Sequence, residues 1–190
     1  MQAAQKPIIK ETQLYTYEDY CTWDDSERWE LIEGQPYAMA PGPSDFHQSI
    51  SSNIHGQLWQ FLRGKPCKVF SAPYDVRFNF NSKNNTVVQP DIVVICDKSK
   101  RDERGGIGAP DMVVEILSPS SVSHDMLRKY GLYLKAGVRE YWIVDPEEKT
   151  VITHILKDGE YSGKMYEQND IVPVSVLEGC NVDFGEVFEE

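Results

Sequence analysis

Apolar residues in this chain follow two rhythms. Phe46, Ile50, Ile54, Leu58 and Phe61 recur at spacings of four and three, which lays one apolar stripe along an α-helix. Ser44 stands where its hydroxyl can accept from the open amides of a first turn, and Gly64 follows the stripe. The pattern predicts a helix from Ser44 to about Leu62. The other apolar runs are short. Arg28 to Glu33 and Pro36 to Ala40 flank Gly34-Gln35 and read as a hairpin. Val69 to Phe80 carries the alternation Val76, Phe78, Phe80; Thr86 to Cys96 contains Ile92-Val93-Val94-Ile95; Met112 to Leu117 is almost continuously apolar. Such runs suit strands covered on both faces. The polar stretch Asp97 to Gly108, with Gly105-Gly106, reads as a loop. A second helix fits Ser123 to Ala136, closed by Gly137, with Leu127, Tyr130 and Leu134 on its core side. Glu140 to Val144 and Thr150 to Leu156 read as strands, and the tail from Tyr161 holds shorter pieces such as Val172 to Val176. This order predicts an α/β fold, a central mixed β-sheet flanked by α-helices. One domain is expected over residues 14–190, behind a loose arm over 1–13.

Composition narrows the function classes. A chain of 190 residues is long enough for a sizeable core. No apolar run approaches the roughly 20 residues that span a bilayer. Met1 to Gln13 lacks the apolar centre of a secretory signal, so a cytoplasmic protein is expected, with no membrane partner. Cys21, Cys67, Cys96 and Cys180 lie far apart with no pair at metal-ligand or redox spacing, which reads as thiols in a reducing compartment. The net charge of −11 runs against the basic face usual in nucleic-acid binders, and implies that DNA binding by a lone domain would be weak and salt-sensitive.

Two strings carry candidate chemistry. Gln89-Pro90-Asp91-Ile92 sets a carboxylate at the head of one buried strand, and Val114-Glu115-Ile116 sets another in the middle of the next. A carboxylate between apolar neighbours is costly to bury unless it is paired or bound to a cation. If the strands are neighbours, Asp91 and Glu115 can converge on one hard divalent ion. Asp111 lies four residues before Glu115, roughly 13 Å away at about 3.3 Å per residue, too far to share it; a turn-capping role fits better. Phosphodiester cleavage also needs a cation near the reacting phosphate. Leu117, two positions after Glu115, cannot supply one, whereas Lys129 on the following helix can reach back over the strand ends. Asp125, one turn before Lys129, offers it an ordinary exposed ion pair instead.

At these residues the chain resembles the bacterial Uma-type restriction endonuclease family, a branch of the PD-(D/E)xK nuclease superfamily. The likeness runs from Arg28-Trp29-Glu30-Leu31-Ile32-Glu33-Gly34 to Val187-Phe188. It is most specific at Gln89-Pro90-Asp91, at Gly108 to Ser120, at Asp125 with Lys129 and Tyr133, and at Gly137 to Pro146. The resemblance implies a restriction-endonuclease-like fold and a metal-dependent endonuclease that hydrolyses DNA. It implies Asp91 and Glu115 as ligands of Mg2+ or Mn2+, and Lys129 in place of the superfamily's usual lysine, where Leu117 stands. Glu30 falls where related nucleases supply a further acid, and Glu33 is the nearby alternative; both also suit ordinary hairpin positions. A homodimer would bring two sites to two strands. Leu117 and the acidic charge favour another reading, a catalytically silent module that binds nucleic acid or a protein partner. His47 and His55 read as solvent-edge residues, Tyr141 and Trp142 as core, and Lys98 to Arg104 as a solvated or DNA-contacting loop.

Overall fold

The computed structural model describes residues 13–23, 27–39, 42–80, 83–118 and 124–189. The arm expected over 1–13 falls almost wholly outside them, as does the side chain of Asp125. In chain order the elements are α1 (Tyr17–Tyr20), β1 (Trp29–Ile32), β2 (Gln35–Ala38), α2 (Asp45–Leu62), β3 (Lys68–Ser71), β4 (Val76–Phe80), β5 (Lys83–Val88) and β6 (Ile92–Ile95). They continue with β7 (Arg101–Asp102), β8 (Gly105–Ile107), β9 (Met112–Ile116), α3 (His124–Ala136), β10 (Glu140–Asp145), β11 (Thr150–Lys157), β12 (Glu160–Glu167), β13 (Ile171–Pro173), β14 (Asn181–Asp183) and α4 (Phe184–Val187).

Two six-stranded sheets organise the chain, in the orders β2-β1-β5-β4-β8-β7 and β12-β11-β10-β9-β6-β3; β13 and β14 form a separate pair. The second sheet holds the buried runs. Its β9 and β10 are parallel and joined through α3, while β6 runs antiparallel to β9. Alternation assigns its two faces. Ile92, Val94, Met112, Val114 and Trp142 pack with Ile50, Ile54 and Leu58 of α2 and with the C-terminal segment. Val93, Val113 and Tyr141 turn the other way, against Val76, Phe78 and Val88 of the first sheet and Leu132 and Tyr133 of α3. Cover on both sides is why these strands read as unbroken apolar runs.

The expected elements stand where the pattern put them, with four differences. Val69 to Phe80 is two strands, β3 and β4, in different sheets. Thr86 to Cys96 likewise breaks at Gln89-Pro90-Asp91, where Pro90 has no N–H for a ladder. The stretch read as a loop over Asp97 to Gly108 contains the short strands β7 and β8. On α3, Leu127 is 75% exposed, and the inner face is Lys129, Leu132 and Tyr133. Leucine's apolarity marked that stripe one residue off.

The cysteine reading also changes. Cys67 and Cys96 form a disulfide, while Cys21 is an exposed free thiol and Cys180 a buried one. Lys68 pairs with Ile95 across β3 and β6, so the residues just outside that pair face each other although 29 positions separate them in sequence. Among the described residues, no helix is long and apolar enough to cross a membrane.

Candidate active site

Strand register creates the site. Ile92 faces Val114 and Val93 faces Val113 across β6 and β9, which brings Asp91, just before β6, to the end of β9 where Glu115 stands. The Asp91 carboxylate then accepts a hydrogen bond from the Ile116 amide at 2.8 Å. Glu115 receives the Tyr133 hydroxyl at 2.6 Å and the Lys129 ammonium at 3.1 Å. The two donors lie one helical turn apart, so the crossover helix delivers both together.

Lys129 is 6% exposed, and its ammonium also lies 3.1 Å from Glu30, which is 4% exposed on β1. The Gln89 amide donates to that Glu30 carboxylate at 2.9 Å. Gln89 is itself fixed by its side chain, which donates to Asp75 at 2.8 Å and to the Tyr20 hydroxyl at 3.1 Å. The turn at Gln89-Pro90-Asp91 therefore holds Glu30 through the Gln89 backbone amide and is tied to β9 through the Asp91 side chain.

Among the residues expected at the site, Glu30, Glu115 and Lys129 are in contact and Asp91 stands beside them through Ile116. Glu33 is exposed and ion-paired with Lys135. Asp111 pairs with Arg139 and accepts from the Cys96 amide at 2.6 Å, which is the turn-capping role its spacing suggested. Lys129 has two buried carboxylates, Glu30 and Glu115, as partners.

His47 overturns the solvent-edge reading. It is 7% exposed, and its Nε2 lies 3.1 Å from the Ile116 carbonyl and 3.5 Å from Asp91 Oδ2. Its Nδ1 is buried without a hydrogen-bond partner among the described residues. The signal was present: His47 precedes Ile50, Ser51 and Ile54 by three, four and seven positions, so it belongs to the buried face of α2. Tyr133 belonged to a recognised motif, but its role needed the helix's orientation.

The charges strain against one another. Burial pushes Glu115 up to about 8; Lys129 pulls it down, Asp91 and Glu30 push it up, and the Tyr133 hydrogen bond pulls it down. Burial alone would lower His47, but the hydrogen bond and charge of Asp91, the Ile116 carbonyl and Glu115 raise it above its ordinary value. Burial, then Glu115 and Glu30, hold the Tyr133 hydroxyl protonated far above the usual range.

A hard divalent cation fits this donor set. Asp91 and Glu115 repel each other, and His47 Nε2 faces both the Ile116 carbonyl and Asp91, so two carboxylates, a carbonyl and an imidazole lie at one end of the sheet. The fit requires adjustment, because among the described residues no three His, Cys, Asp or Glu side chains form a ready ligand group. Glu115 presently spends its oxygens on Lys129 and Tyr133.

Comparison with known proteins agrees with this architecture. The family model Uma2, described as "Putative restriction endonuclease", matches residues 15–185. A protein of Synechocystis sp., slr1290, described as uncharacterized, is 29% identical over 157 residues, spanning 80% of each chain. A second from that organism, sll1609, is 23% identical over 143 residues, spanning 73% of this chain and 78% of its own. The crystal structure of a putative nuclease belonging to DUF820 from Anabaena variabilis superposes with a TM-score of 0.71 at 24% identity. The match covers 91% of this chain and 97% of that one.

Proposed function

This chain belongs to the Uma2 family, and from that premise we propose that it is a divalent-metal-dependent endonuclease acting on DNA phosphodiester bonds. One observation carries the reading: Asp91, at the head of β6, and Glu115, on the neighbouring β9, lie close enough for their charges to oppose each other, with a buried ammonium, Lys129, against the second of them. A structural ion pair alone would not explain why four ionisable groups, Glu30, Asp91, Glu115 and Lys129, gather at one strand end, since each costs free energy to bury.

Asp91, Glu115 and the Ile116 carbonyl would hold Mg2+ or Mn2+, with His47 bordering them. The ion supplies Lewis acidity at a phosphoryl oxygen and a water acidified enough to attack at neutral pH. The remaining work falls to the protein. Lys129 stabilises negative charge that grows on the phosphate as the reaction proceeds. Glu30 keeps that ammonium in place, Tyr133 orients Glu115, and the Ile116 amide and His47 orient Asp91. A homodimer would provide one site for each strand of a duplex.

The test is plasmid cleavage with magnesium, with manganese and with EDTA, run on the wild type beside Asp91→Asn. Cleavage that needs the metal and is lost in Asp91→Asn supports the reading. Persistent cleavage in EDTA, or equal cleavage by the variant, removes it.

A further inference from the structure

A cavity of about 160 Å³ opens directly beside Asp91, lined by Gln48, Ser51, Ser52 and His55 of α2 and by Ser71 at the end of β3. At Ser52 it meets a second, wider depression of about 510 Å³ that continues along the same helix past Gln60 to Trp59 and Arg63. The Trp59 indole is 54% exposed, and the Arg63 guanidinium sits 5.3 Å from its ring centre. Gln57 and Asn53 form part of the floor, tied by their amides to the Asp183 and Glu186 carbonyls of the C-terminal segment. Glu186 is the one carboxylate lining the wider part.

Resting on the nuclease reading above, we propose that this outward face of α2 is a track for a single DNA strand, leading phosphates past the serines to the Asp91 site and stacking a base on Trp59. Three features choose this occupant. First, the inner cavity offers hydroxyl and amide donors and a histidine that burial keeps toward its neutral form, the neutral groups that commonly hold phosphate oxygens. Second, an indole beside an arginine is the pairing that grips unpaired bases, through stacking and cation–π attraction. A base inside a duplex has both faces covered and cannot use it. Third, a single strand brings one charge per about 3.4 Å, against one per about 1.7 Å for a duplex, so a chain of net charge −11 repels it less. From Gln48 to Trp59 the helix rises roughly 16 Å, room for a few nucleotides.

Intrinsic fluorescence tests this without turnover. Trp29 and Trp142 are buried and Trp23 is half-buried, so Trp59 is the exposed reporter. A short oligo(dT), titrated with calcium in place of magnesium, should quench the emission saturably. Trp59→Ala should lose that quenching and bind roughly tenfold more weakly, the scale of one lost stacking contact. Ser52→Asp, which sets a negative charge where the two depressions meet, should weaken binding while leaving Trp59 emission in the free protein unchanged. Absence of quenching, undiminished affinity in Trp59→Ala, or equal quenching by a duplex of the same length overturns the track. The two readings fail separately. Quenching by oligo(dT) without cleavage in magnesium or manganese keeps the track and removes the nuclease, whereas cleavage with an unchanged KM in Trp59→Ala does the reverse.

Discussion

Lys129 neutralises two carboxylates from opposite sides, and this makes it a structural as well as a chemical residue. Lys129→Met should abolish cleavage and also cost about 3 kcal/mol of stability in a urea titration, because it leaves Glu30 and Glu115 buried without their cation. An exposed helix pair would cost less than about 1 kcal/mol. Glu115 gives the pH signature. Its carboxyl is raised to about 8, so the folded state binds the extra proton between its ordinary pKa and that value. Stability should therefore fall as pH rises through that window, and Glu115→Gln should flatten the slope in melts recorded at a series of pH values. Manganese must displace the same proton. Calorimetry should show affinity rising about tenfold per pH unit until pH 8 and then levelling, with binding lost in Asp91→Ala. The sequence reading of Asp91 and Glu115 depended on their strands being neighbours, and β6 and β9 do pair. Lys129's depth was not legible, since Leu127 and Leu134 outweighed a charged residue in judging which side of α3 faces inward. His47 was missed for the same reason: a polar residue on an apolar stripe was discounted.

Among the elements, α2 was the most fully legible, from its Ser44 cap to its end at Leu62. A 3.6-residue period over eighteen positions leaves little alternative. Ser44 accepts from the His47 amide at 3.2 Å, so the cap fixes the turn that aims the imidazole at Asp91. Ser44→Ala should cost about 1 kcal/mol in thermal melts, and should lower cleavage more than an equally destabilising change elsewhere. The strands were less legible. Apolar runs report that a strand is buried but not which sheet it joins, so β3 and β4 read as one, as did β5 and β6. The breaks lie in polar turns whose partners are remote in sequence. Gly105 is an example: it holds φ +124°, and a Cβ there would collide with the Asp75 carbonyl where β8 passes β4. Gly105→Ala should destabilise the first sheet and lower the melting temperature by several degrees, since neither the backbone angle nor the contact can yield cheaply.

At the scale of the molecule, an acidic chain with one arginine on its proposed track should release few counterions on binding. The slope of log affinity against log salt for oligo(dT) should have a magnitude of about 1, near the 0.7 per neutralised phosphate of single strands. A slope steeper than about 4 would mean that a basic surface elsewhere does the binding. The overall α/β class and the helix-flanked sheet were readable from element order. The second sheet and the Cys67–Cys96 bond were not, because both depend on pairings between residues far apart along the chain. Glu30 comes from the first sheet and Glu115 from the second, with Lys129 of α3 gripping both. A relative without activity at this site would still lose stability if one of the three residues changed alone, since that strands a buried charge. Glu30, Glu115 and Lys129 would then tend to change together in such a lineage. Asp91 is the more informative residue, since it holds one backbone amide and a histidine rather than two sheets, and its loss would mark a retired enzyme sooner.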